Sequence, residues 1–184
     1  MPHLLDKLCA RPALATRVAA LARPLVFTNG VFDLLHRGHV AYLEQARDLG
    51  ASLVVGVNSD ASARGLGKGP GRPLNGAADR ACVLAALESV SLVTLFDEAT
   101  PLALLTLVRP DWYVKGGDYH IESLAETRLV RPGVPSARPR QTLRTATPTG
   151  PSTSWSSARS ASSMAISAPR RSTPSVKLLR VTTS

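Results

Sequence analysis

Apolar residues recur along this chain with two different periods. Leu25-Val-Phe27, Ser52-Leu-Val-Val-Gly-Val57, residues 91–96 and Trp112-Tyr-Val-Lys115 are short, nearly continuous apolar runs, the pattern of strands covered on both faces in a parallel sheet. Between them the spacing becomes helical. Val40, Leu43, Ala46 and Leu49 predict a helix over 39–49, closed by Gly50 as its C′ residue, and Val83, Leu84 and Leu87 are expected to face inward on a helix over 79–89. Residues 101–108 predict a further helix, with Pro101 in the first turn where a missing N–H is tolerated. Leu4, Leu5, Leu8, Leu14, Val18 and Leu21 predict a short leader helix or two over 1–23, punctuated by Pro2 and Pro12. Strands alternating with helices predict an α/β fold whose parallel sheet is wound by right-handed crossovers.

Polar breaks fall where these strands are expected to end, and they carry the candidate chemistry. Thr28, Asn29 and Gly30 follow the first run, Asn58-Ser-Asp60 the second, and Gly116-Gly-Asp-Tyr119 the last. Just before the first helix, His36 and His39 flank Gly38. A helix N-terminus presents unpaired N–H groups and a positive dipole end to an anion, and two residues three apart in its first turn face the same side. The pair is read either as a phosphate site or as a capping or surface pair. The preceding strand and Asp33 favour phosphate, because nucleotides bind outside the carboxyl ends of such strands. Residues 61–76 read as a loop that can move over a ligand, with glycine at 65, 67, 69, 71 and 76 and cations at Arg64, Lys68 and Arg72.

Charge changes the picture only at one end. The net +9 of the 184 residues would suggest nucleic acid or an anionic membrane, but 13 Lys+Arg and 13 Asp+Glu cancel in residues 1–130. Residues 131–184 hold nine Lys+Arg and no acid, so the excess belongs to a low-complexity basic tail. Neither nucleic acid nor membrane is therefore expected as a partner. Cys9 and Cys82 have no metal-ligand spacing, and Cys82 reads as a small helical core residue. With no signal-peptide core and no membrane-length apolar run, a cytoplasmic location is expected.

Thr28-Asn-Gly-Val-Phe-Asp-Leu-Leu-His-Arg-Gly-His39 resembles the signature of the cytidylyltransferase-like nucleotidyltransferase superfamily. Val57-Asn-Ser-Asp60, Gly71-Arg-Pro-Leu-Asn75 and Val114-Lys-Gly-Gly-Asp-Tyr119 bring it nearest to the heptose 1-phosphate adenylyltransferases. The resemblance implies a Rossmann-like nucleotidyltransferase domain over 24–130. It also implies AMP transfer from ATP to D-glycero-β-D-manno-heptose 1-phosphate, giving ADP-heptose for lipopolysaccharide core synthesis, with Mg²⁺ accompanying ATP and no protein metal cage. It assigns His36, His39 and Lys68 to catalysis. Nucleotide binding is assigned to Thr28, Asn29, Gly30, Phe32, Asp33, Gly38, Arg72, Arg80, Lys115, Gly116 and Asp118. A homodimer is left open.

The resemblance stops near Val130. Relatives carry a further strand and a Ser/Thr-Thr motif at a helix start, and neither Ser152-Thr-Ser154 nor Thr182-Thr-Ser184 fits it. The Ser, Pro, Ala and Arg bias after 130, without periodicity until Val176 to Leu179, reads as a disordered tail and as the product of a frame-shifted gene. Two alternatives accompany the adenylyltransferase reading: a cytidylyltransferase acting on an alcohol phosphate, and an inactive nucleotide-binding remnant.

Overall fold

Each central strand divides its side chains between two apolar layers. The structure, a computed structural model, describes residues 3–67, 69, 71–116, 130–132 and 176–181. Strands β1 (Leu8–Cys9), β2 (Leu25–Gly30), β3 (Ser52–Asn58), β4 (Leu92–Phe96), β5 (Trp112–Gly116), β6 (Val130–Pro132) and β7 (Val176–Val181) form one sheet in the order β1-β4-β3-β2-β5-β7-β6. Neighbours from β1 to β5 are parallel, and β7 runs antiparallel to both β5 and β6. The helices are α1 (Leu14–Ala19), α2 (Arg37–Arg47), α3 (Asp60–Gly65), α4 (Ala77–Ala85) and α5 (Leu102–Val108).

Leu25, Phe27, Val54 and Tyr113 pack with α1 and α5 residues such as Leu14, Leu104 and Leu105 on one face. Val26, Leu53, Val55 and Val114 pack with Leu43 and Ala46 of α2 and Leu84 of α4 on the other. Both faces are buried, which is why the strands read as continuous apolar runs. The predicted central strands are all present. The chain steps from β2 out to β3 and β4, then returns to the opposite side of β2 as β5. The switch point therefore lies at the carboxyl ends of β2 and β5, the place where open α/β sheets bind ligands.

Several expectations are corrected in detail. Thr28, Asn29 and Gly30 do not end the first strand; they stay in β2, opposite Val55, Gly56 and Val57. In a central strand the backbone is paired by its neighbours whatever the side chains are. The leader is not simply helical, because Leu8 and Cys9 pair with Val93 and Thr94 as a sheet edge and two 3₁₀ turns flank them. Part of the expected 61–76 loop is α3, capped by Ser59, whose hydroxyl accepts from the Ser62 N–H at 3.3 Å. Val83 faces outward, 49% exposed, because α4 buries Ala81, Leu84 and Ala85 instead.

Gly50 is not the C′ residue expected, because α2 ends at Arg47 with Asp48 as its C-cap. Its hydrogen lies against the Pro24 carbonyl, and a Cβ there would also come within 2.7 Å of Val26 Cγ2. In the basic tail, Val176–Val181 pairs along β5 from Trp112 to Gly116, and Leu179 is fully buried in the α1/α5 layer. No described helix is long and apolar enough to cross a membrane.

Candidate active site

β2 ends at Gly30, and the chain turns through Val31 to Leu35 into α2. His36 is the N-cap of α2, its Nδ1 accepting from the Gly38 N–H at 3.1 Å. An acceptor Nδ1 leaves the neutral ring its hydrogen on Nε2, as a donor. The His39 ring stacks on His36 with centroids 3.9 Å apart and makes a T-shaped pair with Phe32, centroids 5.3 Å apart. His36 caps the helix, and the two imidazoles share one side of its N-terminus, which carries no acid in its first turn. Gly38 is set by the same geometry, since a Cβ would sit 2.9 Å from the His36 ring. A Cβ on Gly30 would press on the Phe32 ring at 3.1 Å. Phe32 itself has φ 49°, a left-handed conformation that a bulky side chain rarely adopts.

Asp33 joins this turn to the segment before α4. Its carboxylate accepts from Arg72 Nη1 at 2.6 Å and from the N–H groups of Leu74 and Asn75, and the Asn75 amide donates to the Asp33 carbonyl. The Arg72 hydrogen bond holds the Asp33 carboxyl below the usual carboxylate range. A carboxyl depressed on folding contributes stability that is complete above its unfolded value, about pH 4, and is lost as pH falls through the lower folded value. Unfolding temperature followed from about pH 6 to about pH 2 should therefore fall on the acid side, and less steeply in Asp33→Asn, where that linked proton is gone. An equal slope in the variant would remove Asp33 from the linkage.

Arg80, in the first turn of α4, is 2% exposed. Its Nε donates to Asn75 O at 2.9 Å, Nη1 to Val31 O at 2.5 Å and Nη2 to Asp60 Oδ1 at 2.7 Å. The arginine expected to face nucleotide is therefore committed to three protein acceptors.

At the other side of the switch point, two tyrosines align β2 with β5. Tyr42 on α2 donates to Val114 O at 2.9 Å and lies 2.6 Å from Thr28 Oγ1. Having spent its hydrogen on Val114, the phenol oxygen accepts from Thr28. Thr28 is fully buried, with its hydroxyl paired to Tyr42. Tyr113 donates to Asn29 Oδ1 at 2.8 Å, which leaves the Asn29 amide donors for other partners, and Lys115 Nζ lies 5.5 Å from the Tyr113 ring centroid. A Cβ on Gly116 would meet the Tyr42 ring at 3.0 Å.

The structure thus gathers Asn29, Gly30, Phe32, Asp33, His36, Gly38, His39, Arg72, Lys115 and Gly116 along one sheet edge. Lys68 and Asp118 lie outside the described residues. Tyr42, Tyr113, Asn75 and Asp60 complete the surroundings; Asp60 and Asn75 stood within motifs of the sequence, but none of the four was assigned a role of its own. Among the described residues no group of three His, Cys, Asp or Glu could hold a metal ion.

A family model described as cytidylyltransferase-like matches residues 27–168. The D-beta-D-heptose 1-phosphate adenylyltransferase of Bordetella bronchiseptica is 60% identical over 128 residues, covering 68% of this chain and 79% of that protein. The bifunctional protein HldE of Campylobacter concisus is 53% identical over 109 residues, 59% of this chain but 23% of its own length. A solved structure of a lipopolysaccharide core biosynthesis protein from Thermoplasma volcanium GSS1 shares 36% identity at a TM-score of 0.44, over 47% of this chain and 69% of that one.

Proposed function

Given that the chain belongs to the cytidylyltransferase-like family, we propose that it transfers AMP from ATP to D-glycero-β-D-manno-heptose 1-phosphate, releasing pyrophosphate and forming ADP-heptose for lipopolysaccharide core synthesis. The observation that carries this reading is the 60% identity to the Bordetella adenylyltransferase over 79% of that protein.

In this reading a sugar-phosphate oxygen attacks the α-phosphorus of ATP, a new P–O bond forms, and the bond to the β-phosphate oxygen breaks. The nucleophile is already ionised near neutral pH, so no general base is needed. The work left to the protein is alignment and stabilisation of charge on the phosphates. His36, with its Nε2 donor, and His39 at the α2 N-terminus are assigned to the α- and β-phosphates. Arg72 and Lys68 are assigned to the triphosphate, and Asn29, Lys115 and Asp118 to the nucleotide and sugar-phosphate side. Because Arg72 is held by Asp33, an arriving triphosphate competes with that carboxylate for the guanidinium. Mg²⁺ is expected with ATP, carried by phosphate oxygens and water. Among the described residues no group of three His, Cys, Asp or Glu offers it a cage.

The test is pyrophosphate release by the purified chain with Mg·ATP and the heptose phosphate, beside CTP and beside glycerol 3-phosphate. Release confined to ATP with the heptose phosphate is expected. Release with CTP and glycerol 3-phosphate instead, or none from folded protein, would overturn the reading.

A further inference from the structure

We infer that Arg80 is a positioning residue for the histidine pair, acting through the backbone rather than by touching nucleotide. Its side chain is 1% exposed, and each arm of its guanidinium ends on a different segment of the sheet edge. Nη1 holds the Val31 carbonyl, Nε holds the Asn75 carbonyl at the end of the glycine-rich segment, and Nη2 anchors the fork on Asp60 behind β3. Val31 immediately precedes Phe32, whose left-handed backbone is unfavourable for a bulky residue and persists only where its surroundings fix it. The Arg80 bond to the peptide leading into Phe32 is such a fixture. Phe32 in turn packs against His39 in a T-shaped pair, and His39 stacks on His36.

The chain of contacts runs from a buried charge, through one strained residue, to the two imidazoles. A planar fork is needed for it. Lysine carries all its donors on one nitrogen at the end of a flexible stem and cannot span acceptors placed at the separate Nε, Nη1 and Nη2 positions of the fork. Arg80→Lys should therefore keep the charge and lose the alignment.

The experiment is Arg80→Lys in the full chain, read by NMR and by kinetics. In the unaltered protein the imidazole proton resonances of His36 and His39 should be displaced from those of exposed His3 by the neighbouring rings. In Arg80→Lys they should move towards His3. Only the kinetic arm rests on the adenylyl-transfer reading. There kcat should fall on the order of 100-fold, the scale of a small misplacement of reacting groups, while KM for ATP stays within about threefold. Unmoved histidine resonances in folded variant would overturn the inference. So would a rise in KM for ATP with kcat retained, which would mean that the guanidinium contacts nucleotide. If Arg80→Lys does not fold, Asp60→Asn loosens the same fork at its exposed end and is read identically: shifted histidine resonances support the inference, and unshifted ones overturn it. If the unaltered chain releases no pyrophosphate, the functional reading fails while the resonances still decide the role of Arg80.

Discussion

Replacing His39 by alanine is expected to lower turnover by two or more orders of magnitude, about 3 kcal/mol of transition-state stabilisation, the scale of losing one preorganised donor. Its position is the reason. The ring stacks on His36 at the first turn of α2, where the helix dipole already favours an anion. Proposed chemistry that needs no general base leaves charge stabilisation as the main contribution available to protein groups, so removing one should appear in kcat more than in KM. His36 is the N-cap of α2, so His36→Ala should in addition lose a cap, about 1 kcal/mol of stability. Single-turnover pyrophosphate release, with unfolding followed on the same samples, separates the two effects. Turnover in His39→Ala close to that of the unaltered chain would take this histidine out of the mechanism.

How much of this could be read from residues alone depends on where each piece of information resides. The central strands were legible because burial on both faces writes itself as a continuous apolar run, and α2 because Leu43 and Ala46 repeat at helical spacing. β1 was not legible. A two-residue edge pairing made by backbone groups leaves no period in the side chains. Val83 misled for a related reason: in Cys82-Val-Leu84 every position is apolar, so the sequence offers no face, and the packing of Leu84 under β4 makes the choice. α3 hid in a segment rich in glycine, alanine and serine, where only its cap marks a helix start.

The candidate site divides along the same line. His36, Gly38, His39 and Asp33 could be singled out because they sit within seven consecutive residues. Arg80 was found as a residue but its destination was not, since an arginine in a first helical turn reads alike whether it meets solvent, phosphate or protein. Its three acceptors come from Val31, Asp60 and Asn75, brought together only by the crossovers. The hydroxyls of Tyr42 and Tyr113 carry the same lesson. Their partners, Val114 and Asn29, lie on strands distant in sequence and adjacent at the switch point.

The second large effect is expected at Gly50, far from any chemistry. Gly50 passes against the Pro24 carbonyl, and that carbonyl accepts from the Ala51 N–H at 2.7 Å, so the entries to β2 and β3 are fixed against each other at this point. A Cβ there meets a backbone oxygen, which cannot swing away as a side chain could, and Val26 Cγ2 closes the other side. Gly50→Ala should cost about 3 kcal/mol, the upper range for overpacking, and lower the unfolding temperature on the order of 10 °C. The alternative relief is to push β2 and β3 apart at Leu25 and Ser52, where their register begins. That displacement would travel along β2 to Gly30 and the turn that carries His36. Thermal unfolding of Gly50→Ala, with pyrophosphate release measured well below its midpoint, tests both parts. An unfolding temperature equal to that of the unaltered chain would show that the Pro24 carbonyl has room to move, and the glycine would then need another explanation.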